Sequence, residues 1–258
     1  MKKYTKIIAI AFAAVSVLAS CTKETPYEPG KPAGSKDCFF SKENPSTVVL
    51  ALSDTEFSVV LERSDASAAE TVPLTAWCDV ANVISVPASV SFAAGETSVE
   101  VPVTLGECDP FVNYHITISI PEEYTQPYKE DAGSPNLALI FYKEDYKLWK
   151  TGEYYDAFWY EDSWEQPIEY SEMLDTYRLS NVWADGYGFT FKFDQETKDV
   201  AFTSSAKIAT GINHSSYGAI SATPVACGYD ADLNAIVFVF EWTVSAGSFG
   251  EYEQVLYL

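Results

Sequence analysis

The chain has 258 residues, with 16 Lys and Arg against 37 Asp and Glu, and a formal charge of −21. Its 47% hydrophobic and 15% aromatic residues suffice for packed cores, which excludes a mainly disordered protein. A pI near 4.3 excludes a nucleic-acid binder, because no basic patch exists to release phosphate counterions.

Lys2, Lys3 and Lys6 precede a twelve-residue apolar run, Ile7 to Leu18. A bilayer core of about 30 Å needs about twenty residues, so the run is too short to span it and has the length of a secretory signal core. It ends in Leu18-Ala19-Ser20-Cys21, which resembles the lipobox of bacterial lipoproteins. That resemblance implies cleavage of residues 1–20 and a diacylglyceryl group on Cys21. Cleavage removes three lysines and no acid, moving the formal charge from −21 to −24. Residues 21–35, with Pro26, Pro29, Pro32, Gly30 and Gly34, read as a flexible tether. A surface this acidic repels anionic lipid, so membrane contact is expected through the lipid anchor alone, in the cell envelope and at the outer membrane.

Residues 36–143 alternate with period two. Val99, Val101, Val103 and Leu105 face one way in Thr97–Leu105, as do Tyr114, Ile116, Ile118 and Ile120 in a second run and Phe57, Val59 and Leu61 in a third. These are half-buried strands, and about seven of them, ending with Leu137–Tyr142, predict an immunoglobulin-like sandwich. Pro102 cannot donate to a ladder, so its strand belongs at an edge or a bulge. Phe57 to Arg63, then Phe92-Ala93-Ala94-Gly95-Glu96 leading into Val99–Val103, resembles the Calx-β-type sandwich repeat. Similar modules stand after the tether in Bacteroidetes-type surface lipoproteins, which implies a spacer role. No acidic cluster matches the calcium-binding members residue by residue, so no metal is carried over. In a sandwich of this type the strand ending at Cys78 runs beside the one starting near Val112. That favours a Cys78–Cys108 disulfide; the alternative is that Cys38, Cys78, Cys108 and Cys227 are all small buried thiols.

Residues 146–258 carry the aromatic weight, with five of the six Trp and eleven of the seventeen Tyr lying after residue 145. Tyr187, Phe189, Phe191 and Phe193 alternate with polar residues. Ile236, Phe238, Phe240, Trp242 and Val244 lie on one face of a strand with Val237 and Val239 on the other. About eight short strands, with Ser171–Asp175 as the one helical turn, predict a second antiparallel β-sandwich or small barrel, so the whole chain reads as all-β. Lys143–Lys147 interrupts the pattern, and both halves are acidic, so they are expected to fold as separate units with a limited interface.

Sequence motifs for catalysis are mostly absent: no G-x-S-x-G, H-E-x-x-H, phosphate loop or dinucleotide fingerprint occurs. No catalytic residue and no cofactor is assigned, although a carboxylate-pair glycosidase needs no motif. The two histidines, His115 on the polar side of its strand and His214 in a loop, read as surface residues. Asp230, Asp232, Asn234 and Glu241 fit a calcium-loop spacing, but Ala235 replaces the required Gly. A strand follows, so a polar hairpin turn explains them better. The informative stretch is Glu153–Glu165, where Tyr154, Tyr155, Phe158, Trp159, Tyr160 and Trp164 interleave with five acids. Read as a strand, it carries rings on both faces, and one face then needs a partner. Two readings follow. Trp159, Trp164, Asp162 and Glu165, with Trp183 and Tyr187 as neighbours, form a platform for a neutral oligosaccharide; or the domains are structural or adhesive and contact protein partners. The first requires the Trp and Tyr rings to share one exposed, concave surface.

Overall fold

Alternating side chains bury one face of most strands, and in this protein they assemble two separate cores. The computed structural model describes residues 37–126 and 133–258; the signal, Cys21 and the tether lie outside them. The first half comprises β1 (Cys38–Phe40), β2 (Thr47–Ala51), β3 (Glu56–Arg63), β4 (Glu70–Pro73), β5 (Thr75–Cys78), β6 (Ile84–Ser85), β7 (Ser89–Phe92), β8 (Ser98–Leu105), β9 (Tyr114–Ser119) and β10 (Asn136–Glu144). Two four-stranded sheets, ordered β1-β3-β8-β6 and β2-β10-β9-β5, face each other, with β4-β7 as a small side ribbon. The pairing is antiparallel except between β2 and β10. Val59, Leu61, Val101, Val103, Ile116, Ile118 and Phe141 fill the space between the sheets. Pro102 sits opposite Ser58 of β3. β6 pairs with β8 only at Thr104 and Leu105, so the flank of β8 beside Pro102 is locally an edge.

The Phe92–Glu96 turn has a physical cause. Buried Arg63 donates to the carbonyls of Ala68, Ala93 and Glu96 at 2.7–2.8 Å, and its guanidinium lies 4.8 Å over the Phe92 ring. The Glu96 carboxylate accepts the Ala93 N–H at 2.7 Å, and Gly95 supplies a φ of +89° that a side chain would resist.

The second half is one antiparallel meander: β11 (Lys147–Asp156), β12 (Asp162–Ser171), β13 (Thr176–Ala184), β14 (Tyr187–Phe193), β15 (Val200–Phe202), β16 (Ile208–His214), β17 (Gly218–Asp230), β18 (Ala235–Val244) and β19 (Gly247–Tyr257). Their order in the sheet is β15-β14-β13-β12-β11-β19-β18-β17-β16, with β11 at the centre. β15 and β16, at the two ends of the sheet order, run in the same direction; β15 lies against β17 and β14 against β16, so the sheet curls until its edges meet. At that seam a Cβ on Gly211, whose φ is +74°, would stand 2.5 Å from the Tyr187 ring and 2.8 Å from the Ala184 Cβ; only glycine fits there. Leu179, Phe189, Phe191, Phe238, Phe240 and Trp242 pack the interior. Val237 and Val239, on the other face of β18, are half-buried. Ser171–Asp175, expected as a helical turn, is the β12–β13 hairpin turn. Among the described residues the helical segment is Glu122–Tyr124, and no helix is long and apolar enough to cross a membrane.

At the junction Arg178 donates twice to Glu144 at 2.7 Å and once to Glu169 at 2.9 Å, and it lies 4.0 Å over Tyr146. Burial opposes its charge, but the two carboxylates outweigh burial and push the guanidinium pKa up. Asp145 accepts from Ser171 Oγ and the Met173 N–H.

Candidate functional site

Strand direction decides which turns share an end. The chain enters β11 at Lys147, so the β11–β12, β13–β14, β16–β17 and β18–β19 turns gather at the opposite, distal end of the barrel. The first of these turns falls inside the aromatic stretch that alternation treats as a strand. β11 stops at Asp156 because its Oδ1 accepts the N–H groups of Phe158 and Trp159 at 2.7 and 2.9 Å, an Asx-type turn. Glu161 then takes a φ of +50° to enter β12.

Three of the tips meet there. The Phe158 ring lies 4.5 Å from Tyr252, 4.8 Å from Trp242 and 5.6 Å from Phe249, centroid to centroid. Trp159 meets His214 edge-on at 6.2 Å, and His214 lies 4.7 Å from Tyr217 and 5.8 Å from Phe249. Tyr217 is 50% exposed, and Trp159 is half-buried. His214 Nδ1 accepts the Ser216 N–H at 3.0 Å, so in the neutral ring Nε2 carries the proton and can donate.

The predicted site residues divide. Trp159 belongs to the cluster, and Asp162 stands exposed at the base of its hairpin. Trp183 does not belong: it is 3% exposed, because a bulge in β13 turns both Val182 and Trp183 inward, with Asn181 at a φ of +53°. Trp164 faces inward as well. Its indole donates to Gln166 Oε1 at 3.2 Å, its ring lies 5.4 Å from Tyr154, and Tyr160 meets it edge-on at 5.6 Å. Glu165 follows Trp164 on the strand and so lies on the outer face, opposite Glu153 of β11, where it cannot share a ligand with the Trp164 ring. Tyr187 is 40% exposed, but its ring covers Gly211 at the seam. The required single surface of Trp159, Trp164, Trp183 and Tyr187 does not form. His214, Tyr217 and Phe249 take their places.

Beneath the tips lies a polar layer. Tyr154, Asp156, Trp183, Trp242 and Gln254 are buried. Gln254 Nε2 donates to Asp156 Oδ1 at 3.1 Å. Asp156 Oδ2, the Trp242 indole N–H and Gln254 Oε1 have no hydrogen-bond partner among the described residues, and the Tyr154 hydroxyl and the Trp183 indole N–H have at most each other. Burial first, then the Asp156 carboxylate, pushes the Tyr154 phenol well above its usual pKa, against an opposing pull from the Trp183 indole.

Elsewhere, a groove of about 630 Å³ runs between the halves, lined by Val49, Tyr142, Arg178, Ser180, Thr190 and Thr203 among others. Its cation is already taken by Glu144 and Glu169. Asp230 Oδ1 accepts the Asp232 and Leu233 N–H groups, so these residues make the β17–β18 turn. Cys78, Cys108 and Cys227 are free thiols in this structure, so the expected Cys78–Cys108 disulfide is not formed. Burial raises the pKa of both Cys78 and Cys108, and Cys108 adds a smaller electrostatic push to Cys78.

No family model and no curated protein matches the chain. Among solved structures, a protein of unknown function from Bacteroides ovatus is similar at 10% identity, with a TM-score of 0.35 over 86% of this chain and 90% of that one. An auxiliary nutrient binding protein from Bacteroides thetaiotaomicron gives 10% identity and a TM-score of 0.32 over 82% and 90%. The E. coli chaperone DraB gives 9% and 0.30 over 85% and 96%. Likenesses of this extent carry no inference about role.

Proposed function

We propose that the protein is a non-catalytic binding protein of the cell envelope, anchored through lipid on Cys21, which takes neutral glycans at the distal end of the second β domain. The observation that carries this reading is the cluster of Trp159, His214, Tyr217 and Phe249, assembled from three turns at the end farthest from the chain's entry. Flat rings stack on the C–H faces of a pyranose, and the His214 Nε2–H and the Asp162 carboxylate offer a donor and an acceptor for hydroxyls. The charge of −24 left after cleavage disfavours uronides and sulfated chains. In this reading the first sandwich, of Calx-β-like type, is a spacer above the tether.

The test is a glycan array on residues 22–258, then calorimetric titration of the neutral hits against wild type, Trp159→Ala and Tyr217→Ala. A Kd in the high-micromolar to millimolar range, about −4 to −6 kcal/mol, is expected for a shallow site, with each variant losing binding while retaining its melting temperature. Cys21→Ser should release the protein into the soluble fraction. A second reading, a structural or adhesive role with protein partners, has its own observation in Trp77. This residue is 60% exposed on edge strand β5. An array with no neutral hit supports that reading instead.

A further inference from the structure

We propose that the distal site continues into the barrel and recognises the end of a neutral sugar chain, whose terminal ring places its hydroxyls among Tyr154, Asp156, Trp183, Trp242 and Gln254 when the Phe158–Trp159 turn lifts. This rests on the glycan reading above and names what part of the glycan is read. Buried polar groups in folded proteins nearly always find partners. Here five polar atoms, three without any partner and two with at most each other, come from four strands, β11, β13, β18 and β19. Asp156 and Gln254 are hydrogen-bonded at 3.1 Å, Trp183 and Trp242 pack at 5.6 Å, and the Tyr154 phenol feels both Asp156 and Trp183.

The chemistry of the five atoms selects the ligand. Two indole N–H groups can only donate, Asp156 Oδ2 and Gln254 Oε1 accept, and the Tyr154 hydroxyl does both. An anion would meet the Asp156 carboxylate, a cation would meet the indole donors, and an apolar group would leave Asp156 Oδ2, Gln254 Oε1 and the Trp242 N–H unmatched. Neighbouring hydroxyls, each able to donate and accept, satisfy the whole set. The cover is light. The 157–161 turn is tied to Asp156 Oδ1 by two N–H groups and to the Trp183 carbonyl by the Tyr160 hydroxyl at 2.8 Å. Asp156 therefore both holds the turn and faces the interior. Strands wall the layer on its sides, so a chain end can enter and a chain middle cannot.

The experiment titrates the full chain, after signal removal, with neutral hexaoses of glucose, mannose, galactose and xylose, and with the matching trisaccharides. Two variants follow, one isosteric and one that keeps an aromatic ring. Asp156→Asn keeps an oxygen for the turn and replaces the unmatched acceptor by a donor; Trp183→Phe removes one N–H and keeps a ring against Phe189 and Phe240. Binding about tenfold weaker or worse in a variant that still melts near wild type is expected, with the trisaccharide as tight as the hexaose. Unchanged affinity in whichever variant folds, a hexaose much tighter than its trisaccharide, or a ligand-bound crystal with only water beside Asp156 Oδ2 would each overturn the chamber while leaving the surface site standing. Failure of every probe to bind wild type would remove the glycan reading and this inference with it.

Discussion

Arg178→Ala should destabilise the protein by about 3 kcal/mol, and the sum follows from the contacts. Arg178 is 22% exposed in its side chain, Glu144 10% and Glu169 24%, so the cluster lies between exposed pairs, worth about 0–1 kcal/mol, and buried ones, whose disruption costs about 3–5. The two-pronged bond to Glu144 is charge-assisted and contributes about 2 kcal/mol. The bond to Glu169 adds about 0.5, and stacking over Tyr146 adds about 0.5 more. For a cooperative unit of about 110 residues the melting temperature should fall by roughly 10–15 °C. Because the partners are partly desolvated, the loss should persist at 0.5 M salt, where exposed pairs are screened. Arg178→Lys keeps the charge without the fork and should recover less than half. The assay is differential scanning calorimetry with the Arg178→Ala/Glu144→Gln cycle. A variant within 1 °C of wild type, or a coupling energy indistinguishable from zero, would refute the reasoning.

Gly211→Ala forces a side chain into a left-handed backbone and against the Tyr187 ring; a loss of about 2–3 kcal/mol in urea unfolding is expected, and a neutral result would mean the seam yields. Burial raises the Tyr154 phenol above its usual value of 10.0. Its stabilisation is therefore complete below pH 10 and fades as pH climbs toward the folded value. The exposed tyrosines ionise first, so the test is wild type against Tyr154→Phe: loss of near-UV circular dichroism above pH 10 should come at lower pH in wild type than in the variant, and coincident curves would contradict this. Residues 36–143 and 146–258 have cores that share no residue; expressed apart, each should melt cooperatively, and an unfolded second half would show one core cut in two. Mild oxidation should join Cys78 to Cys108 with a mass loss of about 2 Da, and full alkylation of both after oxidant would exclude that bridge.

Alternation made the strands legible, because a half-buried strand writes its two faces into adjacent residues: Phe57–Leu61, Val99–Leu105, Tyr114–Ile118, Tyr187–Phe193 and Ile236–Val244 all fall in strands. The turn at 157–161 was not legible. It contains no Gly, Pro or Asn, and its cause is the Asp156 carboxylate reaching two amides ahead. Trp183 was misplaced for a related reason, since the β13 bulge puts two consecutive residues inside, which no period-two pattern anticipates. His214 and Phe249 lie far from Trp159 in sequence and meet it only through the meander. One signal was available: Asp185-Gly186, Tyr217-Gly218 and Ala246-Gly247 mark hairpin turns, and counting strands between them places all four tips at one end.

The central position of β11 has a consequence for how the second domain comes together. Its partners are β12, next in sequence, and β19, which it meets as Glu153 opposite Tyr257, across about a hundred residues of chain. Closing so long a loop is entropically costly and slow compared with the neighbouring hairpins. During synthesis β11 therefore waits as an unpaired strand edge until β19 arrives, and such an edge invites pairing with other chains. Truncations at the C-terminus should accordingly be far more prone to aggregate than truncations of equal length at the N-terminus, even where the residues removed contribute little to the finished core.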